Sequence, residues 1–142
     1  MIILIASQKG GCGKSTLAVN ISACLSQLNK DVILVDSDRQ PTSANWCLDR
    51  QEDQSSLPTV QCVQKYENIK DTLLDLNNRY DYVVVDVAGR DSRELRTGML
   101  SADLMIIPFK PSQPDLDTLP KIIEVIDQAK DYNPKLLVKA LL

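Results

Sequence analysis

Between a short apolar run, Ile2 to Ser7, and a helical pattern that begins at Lys14, the chain reads Gln8-Lys9-Gly10-Gly11-Cys12-Gly13-Lys14-Ser15-Thr16. Glycines this close together let backbone N–H groups turn inward and approach phosphate oxygens. The helix N-terminus behind them adds its partial positive charge. Lys14 can then reach the β- and γ-phosphates of a nucleotide, and the Ser15 hydroxyl can ligate Mg²⁺. Gly10, Gly11, Cys12, Gly13 and Thr16 complete the phosphate-binding stretch. The strict G-x-x-x-x-G-K-[ST] pattern fails at its first position, where Gln8 stands in place of glycine.

Carboxylates stand where such a site needs them. A second apolar run, Val32 to Asp36, leads into Asp36-Ser37-Asp38-Arg39-Gln40-Pro41. Sheets with helices on their faces bind ligands outside the C-terminal ends of their strands. Two acids two residues apart in an extended chain point the same way, so Asp36 and Asp38 can both face Mg²⁺ or its waters. The structural alternative is that they cap the following helix. Tyr82-Val83-Val84-Val85-Asp86 is another apolar run closed by an acid, and an aspartate there holds Mg²⁺ or one of its waters. Ser15, Asp36, Asp38 and Asp86 are thus the candidate metal-site residues. Arg90, Arg93 and Arg96 are spaced to share one helix face. They read first as a solvated basic face, with contact to a partner protein or a facing subunit as the sharper alternative.

These residues need elements to hold them. Strands are predicted at residues 2–7, 32–36, 59–63, 82–86, 104–108 and 135–141, most without in-out alternation, as strands covered on both faces require. Helices are predicted near residues 14–28, 42–51, 67–78, 92–100 and 115–129. In the first of them Leu17, Ile21, Cys24, Leu25 and Leu28 recur at helical spacing and predict an apolar stripe. Strand–helix alternation implies an α/β fold in which a mostly parallel sheet is sandwiched by helices, one domain over residues 1–142. The segment 51–58 is the most loop-like. Lys135 to Leu142 reads as a buried strand with nothing after it to cover it, which predicts that the natural chain continues past Leu142. Ser112 or Asp115 is expected to cap the last helix, and Trp46 to act as a partly buried anchor.

Composition excludes several classes. With 142 residues, 44% of them apolar and 25% charged, the chain is an ordinary globular domain. It contains no histidine, which removes every mechanism needing an imidazole base or ligand. Cys12, Cys24, Cys47 and Cys62 form no C-x-x-C pair and match neither a zinc site nor a redox dithiol. No export signal is present, so they are expected to stay thiols in the cytosol, Cys24 and Cys62 packing as small hydrophobes. No apolar run is long enough to span a bilayer. A net charge of −3 argues mildly against a dedicated nucleic-acid binder.

Lys9-Gly10-Gly11-Cys12-Gly13-Lys14-Ser15 resembles the deviant Walker A motif, K-G-G-x-G-K-[ST], of the ParA/MinD superfamily of partition and positioning ATPases. The segment at Asp36 resembles that family's D-x-D-P-Q switch, with Arg39 in the usual proline position. Val87-Ala88-Gly89-Arg90 resembles its second switch, and the stretch from Ile107 to Asp115 is similar to that of the small plasmid-partition members. The resemblance implies a P-loop ATPase fold and ATP or ADP with Mg²⁺ as cofactors. It further implies that Lys9 crosses an ATP-sandwiched homodimer to the partner's nucleotide, that Lys14 acts in cis, that Asp38 positions the attacking water and that Asp36 sits in the metal's outer shell. By the same resemblance the ATP-bound dimer binds DNA nonspecifically, associated with the nucleoid. A centromere-binding adaptor of the ParB/ParG type stimulates hydrolysis, in plasmid or chromosome partition. A metal-cluster assembly ATPase, an ATP-dependent small-molecule enzyme and a nucleotide binder without turnover are the alternatives on the same fold.

Overall fold

The computed structural model describes residues 1–52, 57–109, 117 and 119–141. Its strands are β1 (Ile2–Ile5), β2 (Val32–Ser37), β3 (Gln61–Gln64), β4 (Tyr82–Val87), β5 (Leu104–Pro108) and β6 (Leu137–Leu141). Its described helices are α1 (Lys14–Gln27), α2 (Thr42–Glu52), α3 (Lys70–Asn77), α4 (Arg93–Met99) and α5 (Leu119–Lys130). All strand pairs are parallel, in the order β3-β2-β4-β1-β5-β6. The α/β sandwich expected from the alternation is therefore the fold. Ser112 and Asp115, expected as caps, lie outside the described residues.

Strand parity divides the core. Ile2, Leu4, Ala6, Ile33, Val35, Val83 and Val85 face one way and pack with α3, α4 and α5 through Leu73, Leu95, Met99, Ile122 and Val125. Ile3, Ile5, Leu34 and Val84 face the other way, toward Ala18 and Val19 of α1 and Cys47 of α2. The central strands are apolar on both faces because both faces are covered. At the C-terminal end of this central group the chain must leave the sheet, and there the polar residues accumulate.

Three expectations are corrected. The buried face of α1 is Ala18, Val19, Ser22 and Ser26, not the predicted stripe. Small residues let the helix lie close on the sheet, and Ser22 Oγ satisfies itself on Ala18 O at 2.9 Å. Leu17, Ile21 and Leu25 flank that contact half-buried, and Cys24 is exposed, so only Cys62 of the two expected thiols packs as a hydrophobe. β6 is not buried: Leu137 and Leu141 are 60% and 45% exposed, at the edge beside β5. Edge strand β3 is likewise mostly exposed. Trp46 is the half-buried anchor foreseen, with the Arg50 guanidinium 5.2 Å from its ring.

Leu4 has no exposed surface and sits mid-strand in the central β1. Leu4→Ala should cost about 2–5 kcal/mol, the range for a buried leucine that leaves an unfilled cavity. Urea unfolding followed by circular dichroism checks this, and a loss below about 1 kcal/mol would mean that the core collapses freely around the site.

Candidate functional site

The loop between β1 and α1 owes its path to glycine. Gly11 and Gly13 have φ of 74° and 89°, a region that side chains disfavour, and Gly13 is the N-cap of α1. No side chain caps that end and no acid lies in the first turn. The first N–H groups of the helix are thus left for an external acceptor, which is the requirement for an anion site. Lys14 is only 7% exposed and its Nζ donates to Lys9 O at 3.3 Å, folding back over the loop. Lys9 itself is exposed. Cys12 turns its thiol away, toward Ser7 Oγ at 3.0 Å, so its share of any phosphate contact comes from the backbone. Gly89 closes the cradle from the end of β4: a Cβ there would lie 2.5 Å from Lys9 O.

The acids divide their roles. Asp36 and Asp86 are register partners on β2 and β4 and share the α1 and α2 face. They are 0% and 1% exposed. Asp36 accepts from Ala44 N at 2.8 Å and from Asp38 N at 3.1 Å, so it caps the start of α2 from the sheet. Asp86 accepts from Ser43 Oγ at 2.6 Å. Its other oxygen, Oδ1, is buried and has no hydrogen-bond partner among the described residues. Burial pushes the Asp86 carboxyl above the usual range, although the Ser43 and Ser15 hydroxyls and the Lys14 charge pull it back. Burial raises Asp36 too, against its two N–H donors and with the help of the Asp86 charge. Asp38 stands just past β2, half-buried, and its Oδ1 accepts from Gln40 N at 3.0 Å. The strand ends between the two acids, so Asp36 is buried on β2 while Asp38 stands outside the strand.

A cleft of about 650 Å³ runs along this edge. Gly10, Gly11, Gly13, Lys14, Ser15 and Thr16 form one wall, and Asp38, Arg39, Gln40, Thr42, Ala88, Gly89 and Arg90 form the other. Asp36 and Asp86 lie beneath it rather than on its surface. Among the described residues no cluster of three acidic, histidine or cysteine side chains could cage a cation. The donor set, an orphaned carboxylate oxygen on Asp86 beside the Ser15 hydroxyl, instead suits an ion such as Mg²⁺ that keeps waters and shares phosphate oxygens. Sequence reasoning missed Ser43, which is 0% exposed and orients Asp86; a serine in the first turn of α2 was the signal. It also grouped the arginines wrongly. α4 begins at Arg93, so Arg90 belongs to the cleft, whereas Arg93 pairs with Glu67 and Arg96 with Asp91.

Residues 1–131 match the family of the ATPase MipZ. The chain belongs to this MipZ/ParA family. It is 34% identical over 139 residues to the maintenance of carboxysome distribution protein A of Halothiobacillus neapolitanus, covering 94% of this chain and 62% of that protein. A Borrelia burgdorferi B31 protein assigned to plasmid partition, solved with AMPPNP, superposes with a TM-score of 0.77 at 22% identity, over 98% of this chain and 72% of that one. The pNOB8 ParA bound to nonspecific DNA gives 0.70 at 18% identity, over 86% of this chain and 57% of that one. The chain thus spans less than two thirds of the length of the carboxysome relative. Both solved structures share the fold of this MipZ/ParA family member.

The raised Asp86 carboxyl has a stability consequence. Its folded pKa lies above its unfolded one, so the folded chain binds more protons and loses stability as pH rises through the interval between them. Asp86→Asn removes that charge. In EDTA at pH 7 the variant should melt above the wild type. The gap should close as pH falls below the ordinary carboxylate range. Thermal melts across pH check it, and a variant that melts lower at neutral pH would contradict it.

Proposed function

We propose that this chain is an ATP-dependent, dimerising molecular switch that hydrolyses ATP and acts in the partition or positioning of plasmids, chromosomes or similar cargo. The observation that carries the reading is the cleft. An uncapped helix N-terminus with a buried lysine faces Asp38 and the Ala88–Arg90 turn across a gap large enough for a nucleotide.

In this reading the N–H groups from Gly10 to Thr16 take the inner phosphates of ATP. Lys14 leaves Lys9 O for the outer phosphates. Ser15 and Asp86 would hold Mg²⁺ or its waters, with Asp36 behind them, and the ion would supply positive charge to the transferring phosphate. Asp38 orients a water whose oxygen attacks the γ-phosphorus as the bond to the β,γ-bridging oxygen breaks, giving ADP and phosphate. Lys9, exposed at the rim, supplies a cation to the nucleotide of a second copy and so ties hydrolysis to dimerisation. Support for the family role comes from the carboxysome relative. Nonspecific DNA is the proposed partner of the ATP-bound dimer by analogy with the pNOB8 fold neighbour, and an adaptor of the ParB/ParG type the proposed stimulator. The proposed place of action is the cytosol, on the nucleoid. No helix among the described residues is long and apolar enough to cross a membrane.

Two variants test separate parts. Light scattering behind size exclusion should show a dimer with ATP, a monomer with ADP, and a monomer throughout for Lys9→Ala; an ATP-induced dimer in that variant would remove the trans-acting lysine. Asp38→Ala should keep ATP affinity within about threefold and lose about 10²-fold or more of the turnover, the range for a lost water-orienting base. An unchanged rate in a phosphate-release assay would end that assignment.

A further inference from the structure

The loop between β3 and α3 contains the backbone feature least expected from sequence. Glu67 has φ of 68°, a left-handed conformation that a residue with a Cβ adopts at a cost, and such outliers persist where surrounding contacts impose them. The contacts here come from the loop after β2 and from α4. Arg39, in the loop after β2, puts its guanidinium 3.3 Å from Glu67 Oε1. Arg93, at the start of α4, reaches Glu67 Oε2 at 3.4 Å. Glu94 Oε1 accepts from the Glu67 N–H at 2.9 Å, and Thr97 Oγ1, whose hydroxyl donates to Arg93 O at 2.8 Å, accepts from Ile69 N at 3.2 Å. One residue thus joins the Asp38–Gln40 loop to the helix that follows Gly89 and Arg90.

Arg39 is the member of this set that faces the cleft. It lines the cleft, lies beside Asp38 and also sits over the Tyr66 ring at 5.2 Å. Its pairing with Glu67 is exposed on both sides, at 65% and 59%, which makes it a weak pair and an exchangeable one. A guanidinium matches phosphate oxygens with two parallel hydrogen bonds, and a terminal phosphate offers it more charge than one carboxylate.

We propose that Arg39 is a triphosphate-reading cation supplied in cis, held on Glu67 while the cleft is empty, and that its transfer to the terminal phosphate releases Glu67 and is felt by α4. The inference rests on the nucleotide-binding reading above. Inner phosphates lie on the Gly10–Thr16 backbone, so the outermost phosphate lies toward the Asp38–Gln40 wall. ADP leaves Arg39 on Glu67, and ATP draws it away. Glu67 is a positioning residue in this scheme, since it acts on the nucleotide through Arg39 and on α4 through Arg93 and Glu94.

The test is a titration of Mg-ATP and Mg-ADP into wild type, Arg39→Ala, Glu67→Gln and the double variant, with Lys14→Ala as control. Arg39→Ala should weaken ATP about tenfold and ADP less than about twofold, the loss expected for one charge-assisted phosphate contact. Glu67→Gln should tighten ATP about threefold, and the gain should vanish in the double variant, as coupling between the two residues requires. Amide hydrogen exchange in residues 93–99 should respond to AMPPNP in the wild type and not in Arg39→Ala, a readout that simple loss of a surface ion pair does not move. Equal losses for ATP and ADP, or a Glu67→Gln gain that survives without Arg39, would overturn the inference while leaving nucleotide binding intact. If the wild type binds neither nucleotide, or Lys14→Ala binds as well as the wild type, the nucleotide-binding reading fails first and the inference goes with it.

Discussion

Two aspartates buried side by side on β2 and β4 set the terms for everything at the C-terminal edge of the sheet. A carboxylate taken out of water must find donors or give up its charge. Asp36 finds two backbone N–H groups, one of them from the first turn of α2, and Asp86 finds the Ser43 hydroxyl in that same turn. The start of α2 is thereby fixed against the sheet by the charges beneath it. The Asp38–Gln40 loop between strand and helix is held at both ends. What remains unmet among the described residues is one buried oxygen of Asp86.

The opposite wall is built from backbone rather than charge. Gly11 and Gly13 turn the chain into α1 without a side-chain cap, and Gly89 lets the end of β4 approach Lys9 more closely than any larger residue could. The same N–H groups that a cap would satisfy elsewhere are here turned toward the cleft. Lys14 covers the loop from within by bonding Lys9 O, a neutral acceptor that a phosphate oxygen readily replaces. The two walls are therefore of different kinds. One is built on glycine geometry and the sheet; the other carries the exposed pairs around Glu67.

The glycine turn into α1 was legible in the sequence because consecutive residues carry it: three glycines, a lysine and a serine in a strand–loop–helix setting. Asp86 was legible for a similar reason, as an acid closing an unbroken apolar strand. The apolar stripe of α1 misled because Leu and Ile spacing marks one helix face, while packing on a sheet rewards the smallest face, Ala18, Ser22 and Ser26. The second strand was read as ending at Asp36, whereas β2 runs on to Ser37 and leaves Asp38 just outside it.

By itself the sequence determined the order of elements, the α/β class and the glycine turn into α1, all of which follow from local pattern and adjacent residues. Tertiary structure decided which residues meet. Register put Asp36 opposite Asp86, the β2–β4 pairing brought Ser43 of α2 beneath the cleft, and the β3–α3 loop brought Glu67 between Arg39 and Arg93. These partners lie 26 to 50 positions apart in the chain, and no periodicity records such a distance. The parallel sheet makes the encounters by crossing over between strands that are neighbours in space and not in sequence.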